Sequence, residues 1–237
     1  MTDERETFGD DPRVTGRGKE AHKMNATAIK LIINIWHDDN PEDPNECDGW
    51  KAYSFSRRHG NYKDPESICD EDEDGESIPD KELQAKLDSG LAFFLDYFEH
   101  GQCMWSLTGD GPQCRFDTTR QAGLLVWEHD EDDIGAKTVE DRQKDAKVFI
   151  ERFTSWCNGE VFGYTIEAVK KCHACGQDEE VEADFDLPSC GGYYPDDIDG
   201  MVIDMKDHIG SDWRDYEVTF KSDYGHDEIE RLWKEGK

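Results

Sequence analysis

The sequence predicts an α+β fold, a mixed or antiparallel sheet packed with two or more helices and joined by long acidic loops. Three observations carry this expectation. Short segments rich in β-branched and aromatic residues recur along the chain. Two longer segments repeat apolar residues every three or four positions. Between them lie polar stretches dominated by Asp and Glu, with nothing to bury.

Taken in order, residues 1–25 carry glycine and charge without an apolar pattern and read as a flexible leader, so the domain is expected over 26–237. Ile29–His37 is β-branched and predicts a strand, and the prolines of the acidic stretch 38–44 end it. Residues 51–58 alternate Tyr53 and Phe55 with small polar groups, as a half-buried strand does. Residues 64–80 are a charged excursion around Asp70–Asp74 and predict a solvated loop. Leu83, Leu87, Leu91, Phe94, Leu95 and Phe98 form a helical stripe introduced by Pro79 and Asp80, with Gly90 able to divide it and Gly101 to stop it.

Short strands are expected at Cys103–Leu107 and Leu124–Trp127. A helix over 139–158 follows, with Ala146, Phe149, Ile150, Phe153, Trp156 and Cys157 on one face and Thr138 as its N-cap. Val161–Val169 alternates as a strand. Ile198–Ile209 predicts a helix, 215–220 a strand and 228–234 a terminal helical turn. A cysteine-bearing subdomain could begin at about residue 170.

Composition bounds the function. With 57 acidic and 27 basic side chains the formal charge is -30. Such a field repels nucleic acid backbones and anionic membranes, so neither is an expected direct partner, and it attracts basic protein surfaces. The opening residues have no basic end followed by an apolar stretch, and no run approaches the ~20 apolar residues that cross a bilayer. The expectation is therefore a cytoplasmic protein whose eight cysteines are reduced thiols, with room for one metal site.

That site would be zinc on Cys172, Cys175 and Cys190. Two thiolates in Cys-x-x-Cys can share a tetrahedral ion, and Cys157, His173, His208 or an acid would supply the fourth ligand. Unpaired buried thiols and redox use of the Cys-x-x-Cys are the alternatives. His37, His100 and His129 each stand beside acids; if they converged, a metal-dependent enzyme would follow. No nucleophile elbow, phosphate loop, dinucleotide fingerprint or His-Glu-x-x-His helix is present in the sequence. The one compact basic-aromatic patch, Arg57-Arg58-His59-Gly60-Asn61-Tyr62-Lys63, suits a phosphate-bearing ligand or, more simply, the chain's own acids.

Several stretches carry a resemblance: Tyr53–His59, Tyr97–Gly101, Trp105–Leu107, Gly123–His129 and Trp156–Gly159. Over residues 30–175 they resemble a class of uncharacterised small proteins of tailed bacteriophages of actinobacteria. The resemblance implies a product acting in the cytoplasm of an infected bacterium, and it carries over no residue role.

Three functional readings follow. The first is an acidic interaction protein, in its sharpest form a nucleic-acid mimic that blocks the basic surface of a DNA- or RNA-handling host protein. The second is a metal-dependent enzyme using histidine and carboxylate groups. The third is a structural or accessory phage protein.

Overall fold

The computed structural model describes residues 29–47, 49–59, 62–65, 68–71, 77–172, 174–181, 188–211, 213–222 and 227–235. The proposed leader and Asp72–Asp74 of the acidic run lie outside them.

The chain opens with strand β1 (Ile29–His37), helix α1 (Pro44–Cys47) and β2 (Trp50–Ser54), then a short hairpin of β3 (Cys69–Glu71) and β4 (Ser77–Pro79). Helix α2 (Lys81–Ser89) leads into β5 (Ala92–His100), β6 (Gln102–Leu107) and β7 (Thr118–Trp127). The long helix α3 (Val139–Cys157) is followed by β8 (Phe162–Lys171), β9 (Asp178–Glu180) and β10 (Ser189–Tyr193). Helix α4 (Ile198–Ile209), β11 (Glu217–Ser222) and α5 (Asp227–Glu235) complete the described chain. The fold is α+β, as expected.

The strands form two main sheets. The first is mixed, in the order β10-β8-β1-β11, with β9 also on β8; β1 runs antiparallel to β8 and parallel to β11. The second is antiparallel, in the order β2-β7-β5-β6. Period-two alternation explains the first core. Leu31, Ile33 and Ile35 face Ala168, Ile166 and Tyr164 in register, and all six pack beneath Met201, Val202 and Met205 of α4 and Ile229 and Trp233 of α5.

The second sheet is covered on both faces. Ala146, Phe149, Ile150 and Phe153 of α3 lie on Trp50, Ala52, Leu95, Trp105 and Leu125. Leu83 of α2 packs with Tyr53, Ala92, Leu124 and Val126. Each fully buried Leu, Ile or Phe contributes about 1.5–3 kcal/mol.

Helix α3 matches the expected span, and Thr138 caps it by accepting the Asp141 N–H at 3.1 Å. The stripe read from Leu83 to Phe98 is not one helix. Gly90 ends α2 in the left-handed region (φ 74°), and Leu91 donates its N–H back to the Lys86 carbonyl at 2.8 Å. The apolar run 91–95 then satisfies a strand whose two faces are both covered, a pattern that periodicity cannot separate from a buried helix. The hairpin β3–β4 occupies part of the stretch expected to be loop. No helix among the described residues is long and apolar enough to cross a membrane.

Candidate functional site: an acidic flank along helix α3

The zinc set is not assembled. Cys172 stands in the β8–β9 turn, where its N–H donates to Gln177 O (2.7 Å) and its carbonyl accepts from Gly176 N (2.8 Å). Cys175 sits beside it, its thiol held below the usual value by the Gln177 backbone N–H and by Cys172. Cys190 pairs in register with Tyr164, eight positions before Cys172. At ~3.3 Å per strand residue that is about 25 Å away, whereas sulfurs sharing one zinc each lie ~2.3 Å from it. Cys190 hydrogen-bonds to Tyr164 instead. Of the proposed fourth ligands, Cys157 lies beside Cys103, His208 contacts the Tyr164 hydroxyl and Asp204 O, and His173 is outside the described residues.

The histidines do not gather either. His37 donates through Nδ1 to Gly159 O at 2.8 Å. His100 faces Asp117 at 3.5 Å, and His129 rests against the Trp127 ring. Among the described residues no group of three His, Cys, Asp or Glu could hold a metal ion, which overturns the structural zinc and removes the support for a metal-dependent enzyme. Part of the basic-aromatic patch is used internally. Arg57 pairs with Asp64 and covers Tyr62, Lys63 lies over Tyr53, and His59 turns inward to the Ser54 hydroxyl.

The structure instead draws acids from separate segments to the exposed side of α3. At its N-terminal end, Glu131 of the exposed turn 130–133 pairs with Arg142 at 2.5 Å. One turn further on, exposed Asp145 accepts the Trp50 indole N–H at 2.8 Å. Near the C-terminal end, the Trp156 indole donates to Pro41 O (3.3 Å) and α1 packs on α3, which brings up exposed Asp39 and Glu42 of the preceding loop and exposed Glu46 of α1. Arg152 reaches Asp196 at 3.1 Å, at the head of another exposed acidic turn, Asp196-Asp197.

Within this flank lies a groove of about 240 Å³ lined by Trp50, Trp127, Ile134, Asp145, Val148 and Arg152. The two indoles meet edge to face at 5.4 Å, and Val148 is 48 % exposed. Gly49 makes this possible, because a Cβ there would stand 2.4 Å from the Trp127 ring. Several basic side chains are held in ion pairs, among them Lys144 and Lys147 on α3 itself and Lys30, Lys171, Arg231 and Lys234 elsewhere. Sequence reasoning anticipated the charge but not the groove, since Trp50, Trp127 and Val148 come from three distant segments. Comparison of the chain with family models, curated proteins and solved structures finds no match.

Proposed function

We propose that this protein binds a basic protein surface, that of a DNA- or RNA-handling protein, through the acidic flank of α3, and so occupies the place of a nucleic acid. The observation that carries the reading is the gathering of carboxylates from the 39–46, 130–133, Asp145 and 196–197 segments around an aromatic groove. Carboxylates fixed on folded elements attract and steer a basic partner, and the tryptophan-lined groove supplies the apolar centre that charge alone lacks. A lysine or arginine side chain suits this groove, since the half-buried Trp127 indole attracts cations and Asp145 has a second carboxylate oxygen beside the one that accepts the Trp50 N–H. Under the phage resemblance the partner is a host protein in the bacterial cytoplasm.

The test is capture from nuclease-treated bacterial lysate at two salt concentrations, with the wild-type chain and with Trp127→Ala/Asp145→Asn. The reading expects a basic nucleic-acid-handling protein that DNA competes off, that salt weakens and that the double variant loses. Capture insensitive to salt, DNA and both substitutions sinks it.

A further inference from the structure

A second cavity, of about 570 Å³, opens on the second sheet beyond the 56–59 turn, and none of its lining belongs to the groove beside α3. Three aromatic side chains border it: Phe55, Tyr97 and Phe116. Phe116 is 88 % exposed, the most exposed large apolar side chain described, and it stands at this rim. The neighbouring Arg115 guanidinium lies over the ring at 5.8 Å from its centroid, and the rest of the ring is open to solvent, as a stacking face for a ligand must be.

The inner wall is built rather than incidental. His59 packs face-on toward Tyr97 (centroids 4.3 Å) and edge-on to Trp105 (5.3 Å), and its Nδ1 lies 2.6 Å from the hydroxyl of Ser54, a side chain 2 % exposed. Burial lowers the His59 pKa although Glu99 opposes the shift, so the imidazole is neutral at pH 7, with its Nδ1 already engaged by Ser54. Tyr97 donates its hydroxyl to Glu99 at 3.2 Å, which fixes that carboxylate on the same wall. The indole N–H of Trp105 is buried without an acceptor among the described residues. Asp117 adds a second carboxylate, and Thr119 and Gln121 add neutral donors and acceptors.

Aromatic faces with both donors and acceptors at their edges select a planar ligand that bears amine or hydroxyl groups. The volume suits a ligand of base-plus-sugar size. Arg58 also lines the cleft, but Glu99 and Asp117 outnumber it, and with the overall charge of -30 they select against phosphate. We propose that this cleft binds an uncharged nucleoside, with the base stacked on Phe116 and its polar edge or sugar hydroxyls donating to Glu99. The site is independent of the acidic flank.

The test is calorimetric titration of the full chain with adenosine, guanosine, cytidine and uridine, and with their 5′-monophosphates. At least one nucleoside saturates a single site, and its monophosphate binds more weakly. Phe116→Ala, at an exposed position that leaves the melting temperature unchanged, weakens binding about tenfold, the scale of one lost base–aromatic stack. Glu99→Gln weakens it separately. Absence of saturable heat for all four nucleosides at millimolar concentration overturns the proposal, as does binding that neither substitution changes. Both variants retain whatever partner the acidic flank captures, so failure here is distinct from failure of the protein-binding reading.

Discussion

The buried carboxylate of Asp96 accepts the backbone N–H of Gln121 at 2.9 Å, across the irregular register between β5 and β7. Gln121 is the one described non-glycine residue with positive φ, 47°. A left-handed side-chain-bearing residue costs ~1 kcal/mol or more, so something must hold it there. Asp96 does, and it also accepts from Gly109 N (3.0 Å), Thr108 Oγ1 (3.0 Å) and Gln113 Nε2 (3.1 Å). One carboxylate thereby ties the bulge that lines the nucleoside cleft to the 108–113 turn.

The same bonds set a pH dependence. Burial alone raises the Asp96 pKa, but the hydrogen bonds from Gln121, Gly109, Gln113 and Thr108 outweigh it and hold the carboxyl below the usual value. A depressed folded pKa means the stabilisation is complete above the unfolded value of ~3.9 and is lost as pH falls through the folded one. Asp96→Asn has one acceptor oxygen for four donors and is expected to cost about 2–4 kcal/mol at pH 7. Urea unfolding at stepwise lower pH should show the gap between wild type and variant closing below pH ~4. A gap that stays constant down to pH 2 contradicts this account.

Gly123 and Gly135 make a matched pair. A Cβ on Gly123 would stand 2.1 Å from the Tyr53 carbonyl oxygen and 3.2 Å from the Trp105 ring, so β2 and β7 would have to part. A Cβ on Gly135 would meet no atom within 4 Å beyond its chain neighbours, and the φ of Gly135 is not in the left-handed region. Gly123→Ala is expected to cost about 1–3 kcal/mol, as overpacking does, and Gly135→Ala to be neutral or stabilising by up to about 1 kcal/mol. Thermal melts of the two variants decide it, and equal melting temperatures would show that the strands yield.

Arg142 binds three segments. Its guanidinium donates to Ser89 O (2.9 Å), to Glu131 Oε1 (2.5 Å) and, through Nε, to Ala136 O (3.4 Å). Its side chain is 8 % exposed and that of Glu131 is 60 % exposed, so removing the arginine leaves two carbonyls short of a donor and does not bury an unpaired charge. Arg142→Ala should therefore cost about 2 kcal/mol, less than loss of a fully buried pair. Arg142→Lys should restore little of this, because an ammonium cannot reproduce the fork. Full rescue by lysine in chemical denaturation would reduce the role to charge alone.

Legibility in the sequence followed the range of the interaction. Helix α3 was readable because its stripe, its N-cap Thr138 and its stop lie close together in the chain and all agree. Strand β1 was readable from its β-branched content and β8 from alternation. The segment from Leu91 to Phe98 was misread because both of its faces are buried, leaving no polar phase to fix the period. Cys172, Cys175 and Cys190 looked like a ligand set because sequence spacing says nothing about strand register, which sends Cys190 to Tyr164. The groove and the cleft depend on residues brought together from far apart, such as Phe55 with Tyr97 and Trp50 with Asp145, and no local pattern announces them.

Register also brings Cys103 of β6 to Cys157 at the end of α3. Asn158 clasps the Cys103 backbone, accepting its N–H at 3.0 Å and donating to its carbonyl at 2.9 Å. The Cys157 thiol hydrogen-bonds to that of Cys103 and lowers its pKa against the opposing effect of burial, which makes Cys103 the readier nucleophile. Glutathione disulfide should therefore convert the pair to a disulfide. The Cys103 thiolate attacks the oxidant and releases one reduced glutathione, and Cys157 then displaces the second. By chain entropy, closing a loop of roughly 55 residues contributes about 4 kcal/mol at most, so the oxidised protein should melt higher. Peptide mapping should find the 103–157 link, 2 Da lighter than the two thiols, and Cys103→Ser should abolish both the link and the rise in melting temperature. If oxidation yields only mixed glutathione adducts, or a link confined to the exposed Cys172–Cys175 turn, the two thiols are not held in bonding geometry.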